Sequence, residues 1–170
     1  MNSSKLSGWI QVIGNLGVLA GLIMVAVQIQ QNTVLVRAEL RSNAADAWID
    51  IDASKQSDSF SSVLAKSIIK PQDLTAAEIL ELDGYLFTYM DQLDRDRSLY
   101  REGIFANPPE LLVHGSLQDY FGNEFARAWW AETKWKFDPE FVEIIENEMK
   151  NISVTQDMDY IKRIKARLSK

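Results

Sequence analysis

Apolar and polar positions are distributed along this chain in two unlike ways. From Trp9 to Ile29 the residues are almost all apolar, and no charged side chain occurs between Lys5 and Arg37. A helix through about 20 such residues rises about 30 Å, the thickness of a bilayer's hydrocarbon core. Beyond Arg37 the apolar residues recur with helical rather than alternating spacing, and no strand pattern of useful length appears. The prediction is an all-α protein. It has an N-terminal tail (1–8), a transmembrane helix (9–31), a helical stalk (32–54) and a soluble helical bundle domain (55–170).

The stalk is an extension of the same helix. Gln28 to Asp52 contains neither Gly nor Pro, and Leu40, Ala44, Ala47 and Ile51 recur at a/d-like spacing. One helix is expected from about Ser7 to about Asp52, able to pack on copies of itself or on its own domain. The serine-rich stretch Ser54 to Ser62 should break it. Further helices are marked by their ends. Thr75-Ala-Ala-Glu78 is a capping box, opening a helix with Leu82, Leu86, Tyr89 and Leu93 on one face and its stop at Gly103. Asn107-Pro-Pro-Glu110 and Asp138-Pro139-Glu140 are cap-plus-proline starts. Asn123 precedes a helix from Glu124 to Lys136, and Ser153-Val-Thr-Gln156 caps a last one.

At about 100° per residue the first helix has two faces. Gln11, Gly14, Gly17, Gly21, Gln28 and Asn32 share one. Val12, Leu16, Leu19, Ile23, Ala26 and Val27 share the other. Gly17-x-x-x-Gly21 is the spacing that lets two helix backbones approach closely, and amide side chains on that stripe can hydrogen-bond between helices. The oligomer face is therefore expected at Gln11, Gly14, Gly17, Gly21, Gln28 and Asn32, continued by Leu40, Ala44, Ala47 and Ile51. The apolar run exceeds the roughly 7–15 residues of a signal-peptide core, and no clear A-x-A site follows it. Arg37 and Arg41 against Lys5 lean toward a cytoplasmic domain on the inner membrane.

Composition narrows the partners. All 24 acidic residues and 17 of the 18 basic ones follow Val36, so that portion carries a net −7 against −6 for the whole chain. Such a balance argues against nucleic-acid binding, which needs a basic footprint. With no cysteine in 170 residues, disulfides, thiolate metal sites and a cysteine nucleophile are excluded.

The candidate chemistry is thin. Asp50-x-Asp52-x-Ser54-x-Gln56-x-Asp58 imitates half of a calcium loop, but Lys55 stands where the turn needs Gly and Ser61 where a bidentate Glu is required. Asp91, Asp94, Arg95, Asp96, Arg97 and Glu102 form a charge run whose i,i+4 and i,i+3 pairs suit a solvated face. His114, the one histidine, lacks zinc-ligand spacing and a nucleophile elbow at Gly115-Ser116. No catalytic residue, metal or cofactor is assigned. Trp129 and Trp130, about 100° apart on a helix, should not both face one core, and one is expected at a contact or pocket. Lys162, Arg163, Lys165, Arg167 and Lys170 surround Met158, Ile161, Ile164 and Leu168 in the last helix, which suits either the acidic domain or anionic lipid.

Val27-Gln-Ile-Gln-Gln-Asn-Thr33, followed by Arg37-Ala-Glu-Leu40, resembles a loose group of uncharacterised bacterial single-pass membrane proteins. These share an apolar N-terminal helix, a Gln-Ile-x-x-Asn-Thr-like exit and a helical domain with a Trp-Trp pair, here Trp129-Trp130. The resemblance implies the architecture and no catalytic residue. The reading is a membrane-anchored scaffold, sensor or accessory module that contacts the lipid bilayer, forms homo-oligomers and can meet a membrane-protein partner. A homo-oligomeric channel is the alternative, and a membrane-tethered enzyme the third.

Overall fold

The computed structural model describes residues 3–106, 121–154 and 159–169, and among them there are helices and no strands. The expected start at Asn107-Pro-Pro-Glu110, the roles weighed for His114, Gly115 and Ser116, Met158, and part of the Ser153–Gln156 cap lie outside these residues. The described elements are α1 (Ser3–Ser54), α2 (Asp58–Ile69), α3 (Ala76–Arg101), α4 (Glu124–Thr133), α5 (Pro139–Lys150) and α6 (Asp159–Leu168), with short 3₁₀ turns at Pro71–Asp73 and Lys134–Lys136. The all-α architecture with a long first helix is as the periodicity predicts.

Packing divides the chain into two units, Met1–Ser42 and Asn43–Lys170. The boundary falls inside the segment read as stalk, twelve residues before the expected domain start at 55. Ala44, Trp48 and Ile51 explain this, since they bury or half-bury themselves in the second unit.

Local chemistry sets the helix ends. Ser57 accepts from the Phe60 amide at 3.1 Å and opens α2. Thr75 Oγ1 accepts from the Glu78 amide, and Glu78 Oε2 accepts from the Thr75 amide at 2.7 Å, completing the capping box of α3. Lys66 donates to the same carboxylate at 2.8 Å. This lysine first, and then the Thr75 donors, hold Glu78 down to a pKa of about 2. Asn123 Oδ1 accepts from Ala126 N at 2.8 Å to cap α4, and Asp138 Oδ1 accepts from the Glu140 and Phe141 amides to cap α5.

α3 ends in a Schellman motif: Gly103 N donates to Tyr100 O, and Ile104 N to Leu99 O at 2.9 Å. Gly103 takes φ +68°, the left-handed region where a Cβ is unwelcome. That Cβ would meet nothing within 4 Å, so the penalty is conformational alone. Gly103→Ala is expected to lower the stability of the second unit by about 1–2 kcal/mol, read as an earlier urea midpoint with an unchanged slope.

The core of the second unit is built on α3. Leu82, Leu86, Tyr89 and Leu93, the predicted face, are all buried, together with Tyr85 and Met90. Phe60 and Val63 of α2, Ile51 of α1, Trp129 and Trp130 of α4, and Phe141 and Ile145 of α5 close around them.

Candidate functional site

The outstanding surface of the first unit is α1 itself. Every described side chain from Gln11 to Glu39 is exposed, including Leu16 at 59% and Leu22 at 63%. Water does not tolerate a continuous apolar surface of this size on an isolated helix, and patches beyond a few hundred Å² mark membrane or protein contacts. By length and composition this one helix is apolar enough to cross a membrane. A Cβ added at Gly14, Gly17 or Gly21 would meet nothing within 4 Å. Gln11, Gln28 and Asn32 are exposed beside them. The expected packing face is thus open along its length as far as Asn32.

Its continuation behaves differently. Leu40 is half-buried. Ala44 is buried, Ala47 half-buried, and Ile51 belongs to the core cluster of the second unit. Of the two partners open to this stripe, copies or its own domain, Ile51 meets its own domain. The sequence offered no signal for the residue that fastens this stretch, Trp48. Its ring lies edge-on to Tyr89 with centroids 5.2 Å apart, and its Nε1 donates to Asp96 Oδ2 at 2.8 Å.

The charge run is not the solvated face that its i,i+3 and i,i+4 spacings suggest. Asp91, Arg95 and Glu102 conform, all exposed, with Asp91 and Arg95 4.0 Å apart. Asp96 is buried, held by Trp48 and by Gln92 Nε2 at 2.9 Å. Burial pushes its carboxyl above the ordinary value, against the pull of those two donors. Arg97 is buried as well. It reaches Asp94 at 3.0 Å, Asp138 at 2.9 Å and Glu140 at 3.0 Å, joining α3 to the first turn of α5. Burial works to lower its pKa, but the carboxylates outweigh it and the net direction is upward. Arg97 also lies 5.8 Å from the Phe141 ring centroid. The spacing argument failed because Trp48, Asp138 and Glu140 lie some 40 or more residues away in sequence.

Trp129 and Trp130 are both buried, which corrects the expectation that one would lie at a contact or pocket. Their 100° divergence is met by two different neighbours. Trp129 Nε1 donates to Asp83 of α3 at 2.7 Å. Trp130 turns to Phe121, Phe137 and Phe141, stacking on Phe137 at 5.4 Å. Its Nε1 has no hydrogen-bond partner among the described residues. The exposed tryptophan of the second unit, among the described residues, is Trp135, at 77%.

A cleft of about 660 Å³ does open in the second unit, between the last turns of α1 and the side of α3. Ile51, Phe60 and Tyr85 line its apolar part, and Asp50, Glu81 and Asp91 give it a negative rim. The Asp50–Asp58 segment contributes Asp50 to this rim, while Asp52 pairs with Lys55 at 2.7 Å. Among the described residues no group of three His, Cys, Asp or Glu side chains is placed to hold a metal ion. Hydroxyls (Ser54, Ser57, Thr88) and one cation, Arg95, complete its polar lining. No family model, no curated protein and no solved structure matches the chain, and its function is read from its own residues.

Proposed function

We propose that this chain is a single-pass membrane protein that self-associates through α1 and presents its helical unit as a scaffold, sensor or accessory module at the membrane. The observation that carries the reading is the exposed, uncharged apolar surface of α1 between Lys5 and Arg37. In lipid that surface is solvated, and the backbone of a helix satisfies its own hydrogen bonds. Orientation follows the basic residues: Arg37 and Arg41 beside the span favour a cytoplasmic unit at the inner membrane.

Self-association rests on the glycine–amide face. Without a water-driven hydrophobic effect, helices in lipid associate through close backbone packing and interhelical hydrogen bonds. Gly14, Gly17 and Gly21 permit the first, and Gln11, Gln28 and Asn32 can supply the second. Val18 and Val25 keep the middle of the stripe apolar, which favours a packed contact over a water-filled pore.

The test uses the full chain in mild detergent. Leucine at 17 or 21 meets open space within one copy, so any effect reports contact between copies. Gly17→Leu and Gly21→Leu together are expected to weaken association about tenfold, or about 1.4 kcal/mol, by mass measurement across a dilution series. A strictly monomeric wild-type chain, unaltered by the two substitutions, would refute self-association.

A further inference from the structure

We propose that α6 rests on an anionic bilayer surface and holds the Asn43–Lys170 unit to the membrane at a second place besides α1. The inference depends on the reading that α1 spans a bilayer.

α6 has the sequence Asp-Tyr-Ile-Lys-Arg-Ile-Lys-Ala-Arg-Leu, with four basic residues against Asp159. It is a net +3 segment in a chain whose formal charge is −6. Ile164 and Leu168, one turn apart, are exposed at 39% and 80%, and Lys165 and Arg167 beside them are exposed too. A basic amphipathic helix with bare apolar residues and low overall hydrophobicity lies in the interfacial plane of a membrane. There its apolar side chains sit at the headgroup–acyl boundary and its basic ones meet lipid phosphates. Each Lys or Arg near an anionic surface raises occupancy roughly fivefold.

The acidic cleft is the competing partner, since Asp50, Glu81 and Asp91 also have the right sign. Two observations favour lipid. The described α6 side chains from Ile164 to Leu168 are exposed, and none of them lines the cleft. And only Arg37–Ser42, about 9 Å of helix, separates Val36 from the compact unit. A unit tethered so closely meets the bilayer at a high effective concentration without any second copy. On the cytoplasmic side favoured by Arg37 and Arg41, the leaflet is the anionic one.

The chain contains no cysteine, so Ser169→Cys supplies a single attachment point for an environment-sensitive fluorophore while sparing Ile164 and Leu168. The labelled full chain is reconstituted in nanodiscs of phosphatidylcholine alone or with about one third phosphatidylserine. A blue-shifted emission is expected only in the anionic discs. It should be abolished by Lys165→Glu with Arg167→Glu, by Leu168→Glu, and by salt of about 1 M, where the Debye length falls to about 3 Å. Equal spectra in both lipids would overturn the proposal. So would a shift in both lipids that Glu81→Lys and Asp91→Lys remove, which would place α6 in the cleft. Failure of the chain to co-elute with either disc refutes the α1 reading and this one with it, whereas co-elution with unchanged spectra refutes this one alone.

Discussion

Arg97→Met should destabilise the second unit by about 2–4 kcal/mol. The 3–5 kcal/mol typical of breaking an enclosed ion pair is reduced here because Asp138 and Glu140 are about half exposed and partly screened by water. Methionine keeps the aliphatic packing near Phe141, so the loss reports the charge. Asp94, whose carboxyl burial already pushes upward, would be left without its nearest cation. Arg97→Lys should recover only part, because one ammonium cannot span three carboxylates from two helices.

The pH dependence separates this ionic account from a packing one. Asp138 is held below the ordinary carboxylate value by the Phe141 amide first, and then by Arg97 and the Glu140 amide. Its contribution is therefore complete above its unfolded value and is lost as pH falls through the lower folded one. Asp94 has the opposite sign: the cost of its buried charge appears as pH rises through its raised value. Both effects should make the difference between wild type and Arg97→Met shrink as pH falls into and below the carboxylate range. Denaturant titrations at neutral and acidic pH would check this, and a constant difference would mean that packing dominates.

Leu19→Arg with Ile23→Arg should move the chain out of the membrane fraction. Each guanidinium placed near the middle of a spanning helix costs about 2.5–3.5 kcal/mol of insertion free energy. Both positions lie on the face opposite the glycines and are exposed in α1, so the change burdens contact with lipid and no packing within the unit. Ile49→Arg is the control. Ile49 is equally exposed at 63% but belongs to the second unit, and its substitution should leave the location unchanged. Flotation through a density gradient reads both. A double-arginine chain that still floats in salt of about 1 M, where surface-bound basic helices are released, would refute the spanning role of α1.

What could be read from the sequence follows the range of the forces involved. The capping box at Thr75 and Glu78, the caps at Asn123 and Asp138, and the left-handed stop at Gly103 each involve residues a few positions apart. Their chemistry is complete within a short window. The apolar face of α3 was equally legible, because burial repeats with the helical period. The buried Asp96 and Arg97 were not. Within their own helix they look like neighbours screening each other, and only Trp48, Asp138 and Glu140 reveal that they are interior. The Trp129–Trp130 pair misled for a related reason. An angle on one helix says how two rings diverge, but not that α3 lies on one side and Phe137 and Phe141 on the other. The cleft was invisible because a concavity belongs to the gap between elements.

The bond from Trp48 to Asp96 also has a consequence for timing during synthesis. Its partners are 48 residues apart, which at about 5–20 residues per second is about 2–10 s of translation. Throughout that interval the apolar run of α1 already exists, while Ala44, Trp48 and Ile51 have no α3 to close against. On the proposed spanning role, α1 can therefore settle in a bilayer first, with the folded unit completed afterwards. Trp48 fluorescence in arrested nascent chains of increasing length would register the second event as Asp96 becomes available.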